Sequence, residues 1–270
     1  STLPAGACAT YHYTYSLTNA TEGDTYDFSV DVKEFVCEND ISVGTGDIVH
    51  MMYDYDGNGT AEYVWCAREM VSGTGTGRTW LDRNLGAYQR ATAVDDHLSY
   101  GDLYQWGRPM DGHHKINWTS STVGTPANAM LYDADNWSDT PNDVRFFEGD
   151  DDPSTQNNDW VDNNNNNRWQ TTPQGPCPTG YHVPTDQDWF AEYGNLEDIG
   201  DGDPYGELAL PHAGSRSYLF GTVSAWGGAY WGSSNIYQDR LSPALRFTSS
   251  TGSMNIYARA SGFSVRCIKD

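Results

Sequence analysis

The chain has 270 residues, with 15 Lys and Arg against 37 Asp and Glu, a formal charge of −22 and a pI near 4.3. A field of that sign repels phosphate backbones and anionic lipid, so nucleic-acid and membrane-surface roles are disfavoured. No run of eighteen apolar residues exists that would cross a bilayer. Hydrophobic residues at 37%, with 28 Gly, 10 Trp and 18 Tyr, suit many short strands and turns better than long helices.

The length suits one large domain or two modest ones. The first residue is Ser1 and no signal-like apolar segment follows it, a start compatible with a mature secreted protein. Five cysteines, Cys8, Cys37, Cys66, Cys177 and Cys267, show no Cys-x-x-Cys spacing, which disfavours zinc or thioredoxin-like chemistry and leaves disulfides as the better reading. Cys177 and Cys267 flank one group of candidate strands and are expected to pair, with one further bridge among the first three. Bridges imply an oxidising compartment.

Residues 11–17 and 26–36 alternate apolar and polar positions, the period of half-buried strands, and predict a β-rich N-terminal region. Two apolar runs on either side of Asp56-Gly57-Asn58-Gly59 then predict a β-hairpin. Asp54, Asp56 and Asn58 put oxygens on alternate residues, as at the start of a calcium loop, but Trp65 stands where an EF-hand carries its twelfth-position Glu. Ca2+ and a plain Asx/Gly turn are the two readings, and Ca2+ is the one cofactor considered. Residues 72–78, SGTGTGR, lack the Gly-Lys-Ser/Thr of a phosphate cradle and read as a linker or hairpin turn.

Residues 79–87 offer a strand and a turn. Over 99–108, Ser99 as N-cap, Asp102 at the third helical position and Leu103 and Trp106 on one face predict a helix. Residues 109–172 are polar and poorly periodic and read as a long, partly ordered insertion whose aromatics pin it to the body. Its Asp and Asn clusters are read as solvated, with cation binding as the alternative. His113 and His114 are adjacent, and neighbours in an extended segment point opposite ways, which argues against a shared metal. Thr185 followed by Asp188 predicts a capped helix with Trp189, Tyr193 and Leu196 facing the core. Short strands are predicted within 207–214, 228–234, 242–250 and 262–268.

Between the apolar positions Trp231, Leu245, Phe247 and Val265 lie Asn235, Tyr237, Asp239, Arg240, Asn255, Tyr257 and Arg259. Tyr and Arg give large contact areas and adaptable hydrogen bonds, so these seven with Trp231 are the candidate ligand-binding residues. The competing reading has Tyr237 and Tyr257 covering sheet edges while Arg240, Arg246 and Arg259 pair with the excess acid. Arg266 reads as one half of a structural ion pair. The seven scattered His residues, with no Gly-x-Ser-x-Gly and no His-Glu-x-x-His, leave a catalytic constellation unsupported.

Six ordered motifs, WLDRNLGA, YGDLYQWGR, CPTGYHVPTDQDW, LPHAGSR, GAYWGSS and ARASGFSVRC, resemble the Fibrobacter succinogenes major paralogous domain family over roughly residues 79–270. The resemblance implies an α+β, C-type-lectin-like domain with two helices and a twisted antiparallel sheet. On this reading it occupies 76–270, carries the 109–172 insertion and follows the β-rich region 1–75. The same fold serves formylglycine-generating enzymes, but these use a pair of reactive cysteines near the C-terminus, where this chain has only Cys267. Related domains occur in secreted bacterial proteins, phage receptor-binding proteins and retroelement-diversified variable proteins, whose variable positions match a segment like 230–260. The function implied is an extracellular, non-enzymatic recognition or adhesion protein that binds a protein or glycan on a cell surface. The alternative is a subunit of a filament, appendage or surface layer that pairs with copies of itself through residues 1–36. Neither reading involves nucleic acid or membrane insertion.

Overall fold

The computed structural model describes residues 46–72, 76–132, 143–149, 158–161, 167–169, 175–193, 206, 208–234, 240–249 and 251–270. The strands predicted at 11–17 and 26–36 and the core position Leu196 lie outside the described residues. In chain order the strands are β1 (Ile48–Tyr53), β2 (Tyr63–Val71), β3 (Thr79–Leu81), β4 (Tyr104–Gln105), β5 (Ile116–Trp118), β6 (Gly124–Pro126), β7 (Met130–Leu131) and β8 (Phe146–Phe147). They continue with β9 (Tyr181–His182), β10 (Ser215–Arg216), β11 (Val223–Ser224), β12 (Gly228–Trp231), β13 (Leu241–Phe247), β14 (Gly252–Ala258), β15 (Gly262–Phe263) and β16 (Ile268–Lys269). One α-helix, α1 (Asp186–Tyr193), stands between β9 and β10.

The expected fold class is overturned. Strands take up 34% and helix 7%, with one α-helix among the described residues, and the sheet curls into half a barrel instead of a two-helix α+β, C-type-lectin-like domain. The second predicted helix does not form. Gly101 and Gly107 hold φ of +67° and +79°, left-handed values that interrupt a helix, and a Cβ on Gly101 would lie 2.3 Å from the Leu85 carbonyl oxygen. A short 3-10 turn, His97–Ser99, precedes an extended β4, and Asp102 accepts the Ile116 N–H (2.9 Å) instead of capping.

The largest sheet runs β1-β2-β3-β16-β9, with neighbouring strands antiparallel. The hairpin predicted around residues 56–59 is β1–β2, with Tyr53 opposite Tyr63. Strand β2 pairs β3, and β1–β2 share a sheet with the C-terminal β16. A second sheet runs β11-β10-β15-β4 and a third β12-β13-β14. The described residues of the predicted strand at 207–214 form no strand, whereas β14 is an additional one.

The helix signal at 185–193 reads correctly. Thr185 Oγ1 accepts the Asp188 N–H (3.1 Å) and Asp188 Oδ2 accepts the Thr185 N–H (2.8 Å), a reciprocal capping box. Trp189 is buried in an aromatic cluster with Trp80, Tyr230 and Phe247, with Tyr193 packed at its margin. Cys177 and Cys267 form the expected disulfide, with Cα atoms 5.9 Å apart, and Cys66 is also disulfide-bonded.

The described parts of 109–172 are not a solvated excursion. Ile116, Phe146, Phe147, Trp160, Val161 and Trp169 are buried, and the Trp160 indole donates to the Trp106 carbonyl (2.6 Å). Arg266 does not form the predicted ion pair. Its buried guanidinium is held by Asn84 Oδ1 and the carbonyls of Leu81, Leu208 and Ala209, neutral acceptors in place of a carboxylate.

Candidate functional site

In the antiparallel pair β13–β14, Pro243 lies opposite Ile256 and Leu245 opposite Met254. Met254 and Ile256 are two residues apart and so share one face of β14. Helix α1 packs against β13 and brings Asp186 and Phe190 to that face. The result is a cavity of about 270 Å³ lined by Asp186, Phe190, Pro243, Met254, Asn255 and Ile256. Phe190 is 41% exposed and Ile256 36%, so an apolar floor faces solvent between two polar side chains. The volume falls at or below the small end of ligand sites, about 300–1,000 Å³, and matches one inserted side chain or sugar ring better than a large cofactor. Ser234 Oγ binds both the Asp186 N–H and its carboxylate and fixes the first turn of α1 at the rim.

The predicted ligand-binding residues divide sharply. Asn255 is exposed and lines this cavity. Tyr257 is half-buried, edge-on to Phe263 (5.4 Å), with the Arg246 guanidinium 5.3 Å from its ring centre. Arg240 is half-buried and its carbonyl accepts the Arg259 N–H (3.3 Å). Asn235, Tyr237 and Asp239 lie outside the described residues. Two assignments are corrected. Trp231 is fully buried and its indole donates to the Tyr104 carbonyl (2.6 Å). Arg259 is equally buried, over the Trp106 ring at 4.2 Å, donating to Ser242 Oγ and pairing with Asp159, which also binds Arg168. Trp231 is covered by Phe263 and Tyr104, and Arg259 by Trp106 and Asp159, so both are core side chains. Asp186, Phe190, Pro243, Met254 and Ile256 were missed. Phe190 follows Trp189 directly and therefore leaves the helix on a different side from the core residue, a signal available from helical spacing.

At the tip of the β1–β2 hairpin, ligand atoms of Asp54, Asp56 and Glu62 lie within 4.8 Å of one another, an oxygen set of the kind hard divalent cations take. The buried Asp54 carboxylate also accepts N–H bonds from Gly57 (2.8 Å), Asn58 (3.2 Å) and Gly59 (2.8 Å). Asn58 is not in the set. Its Oδ1 accepts the Thr60 N–H (2.7 Å) and its amide donates to Asp56 and Glu62. Glu62, unforeseen from the twelve-residue spacing, takes its place.

His113 and His114 do not point opposite ways as expected. Residues 112–115 turn instead of extending, so the His113 and His114 rings lie 5.4 Å apart, and ligand atoms of Asp111, His113 and His114 fall within 4.8 Å. The chemistry nonetheless opposes a metal. The Gln105 N–H donates to His113 Nε2 (3.0 Å), so the ring proton sits on Nδ1 and is shared with Asp111. A metal on Nδ1 would require an imidazolate. Burial, reinforced by Arg108, holds His113 down at about 4, and burial with the neighbouring His113 holds His114 well below the usual range. Asp111 is pushed up by burial, but His113 and Arg108 outweigh this and bring it to about 2. This cluster is neutral histidine packing, with His114 stacked on Tyr104 at 4.7 Å.

No family model, curated protein or solved structure matches the chain. Among the described residues no helix is long and apolar enough to cross a membrane.

Proposed function

We propose that this chain is an extracellular, non-enzymatic recognition and adhesion protein that meets a protein or glycan ligand on the outer face of β13–β14 beside α1. The observation that supports this reading is the cavity lined by Phe190, Asn255 and Ile256, within the polar-aromatic segment 230–260 and next to a strand bordered by β13 alone among the described strands. The disulfides agree with an oxidising compartment, and the six ordered motifs over residues 79–270 resemble the Fibrobacter succinogenes major paralogous domain family. The alternative, a filament or surface-layer subunit, draws on residues 1–36, which lie outside the described residues, and so has less behind it. The test is a comparison of the protein with a Phe190→Ser/Asn255→Ala/Ile256→Ser variant on glycan arrays and intact cells. Binding should fall at least tenfold in a variant with unchanged melting temperature. Equal binding by both would reject the face.

A second reading concerns the hairpin tip. With Glu62 beside Asp54 and Asp56, the loop is read as a calcium site that braces the turn. Calcium added to chelator-treated protein should then raise the melting temperature, and Glu62→Gln should abolish the rise. An identical melting curve with calcium and with chelator would remove this reading.

A further inference from the structure

We propose that Lys115 and Asp102 condense into an intramolecular amide, an isopeptide cross-link within the core. Both side chains are almost completely enclosed, at 3% and 1% exposure, and Lys115 Nζ lies 3.4 Å from Asp102 Oδ1. Among the described residues Asp102 is the only carboxylate paired with this lysine. The pocket walls are aromatic. Nζ lies 5.0 Å from the Tyr55 ring centre and 5.9 Å from that of Tyr88. The Asp102 carboxyl is held from two sides, Oδ2 accepting the Tyr53 hydroxyl (2.8 Å) and Oδ1 the Ile116 N–H (2.9 Å). Tyr53 is itself hydrogen-bonded to Tyr104. Gly86 keeps the approach narrow: at φ +79°, a Cβ there would come within 2.3 Å of Asp102 Oδ2 and 2.5 Å of the Tyr53 hydroxyl.

As an ion pair this arrangement is poor. Charged N–H to carboxylate bonds favour about 2.7–2.9 Å, and burying both ions costs several kcal/mol apiece unless the geometry is excellent. Moving one proton from nitrogen to oxygen gives an amine and a carboxylic acid with no buried charge. Burial is the largest influence on the Asp102 carboxyl and raises it above its ordinary range. That neutral pair is the reactive form, and groups held about 3–3.5 Å apart are already near attack distance.

The step balances without a further reagent. The Nζ lone pair attacks Cγ, and the charge that develops on Oδ2 is met by the Tyr53 hydroxyl. One proton passes from the attacking nitrogen to the protonated Oδ1, the Cγ–Oδ1 bond breaks, and one water leaves. The amide nitrogen keeps one hydrogen, in place of an ammonium that needs three acceptors.

Mass spectrometry of the reduced full chain decides. The expected mass is one water below that of the sequence. Trypsin does not cut after an acylated lysine, and Arg108 is followed by Pro109, so residues 91–145 should survive as one peptide lacking a water, where an unlinked chain yields cleavage after Lys115. Lys115→Arg should restore the full mass, and Tyr53→Phe should slow the appearance of the lighter species on the order of tenfold or more. Full sequence mass with normal cleavage after Lys115 in folded protein would overturn the proposal. So would a water loss traced to a succinimide at Asp111-Gly112, which leaves Lys115 cleavable.

Discussion

Strands β12 and β14 lie one strand apart in the same sheet, both start on Gly and both carry Ala and Tyr, yet their fates differ. All four residues of β12 are buried, and Tyr230 bridges to Ser264 behind it. Strand β14 exposes Asn255 and Ile256 and buries only Ala258. Amphipathic side chains can fill a core or meet a ligand with the same chemistry. What lies behind the sheet decides which, and residue type alone does not.

The largest test of that contrast is Trp231→Ala. Removing a buried indole together with its hydrogen bond to Tyr104 should cost about 4 kcal/mol in urea denaturation; a loss below about 1 kcal/mol would mean that β12 is not core. Acid distinguishes the regions next, because the β14 stretch has no carboxylate or histidine while His113 and His114 are buried near β4. Their folded pKa values lie below the ordinary value of about 6.5. The unfolded chain therefore binds protons that the folded one refuses, and stability is lost as pH falls from about 6.5 toward 4, by up to about 1.4 kcal/mol per pH unit for each histidine. His114→Phe, which keeps the stack on Tyr104, should flatten that acid limb; an unchanged slope would place the linkage elsewhere. The smallest effect belongs to Asn255→Ala, within about 0.5 kcal/mol of the parent in stability, with its loss read in ligand binding instead.

Signals carried by neighbouring residues were legible in the sequence. The capping box at Thr185 and Asp188 and the hairpin turn around Gly57 and Gly59 each depend on a few side chains whose preferences survive in the fold. The Cys177–Cys267 pairing spans 90 residues and was legible for another reason, the cysteines flanking one group of candidate strands. The failures came where distant segments decide. Ser99 and Asp102 match a helix start, but the chain turns left-handed at Gly101 and Asp102 is claimed by Tyr53, forty-nine residues upstream. Arg259 looked available for a ligand until Asp159 and Trp106, far away in the sequence, closed over it. The exposed floor of the candidate site depends on Phe190 of α1 meeting Met254 and Ile256 of β14, a union that no local pattern announces.

Hydroxyl-radical footprinting of the protein on cells that bind it can show whether the β13–β14 face meets the ligand. Phe190, Met254 and Ile256 should be protected, with Phe220 and Trp226, which are 68% and 85% exposed outside that face, remaining reactive. Protection of Phe220 or Trp226 with Phe190 and Met254 still oxidised would contradict that placement of the ligand.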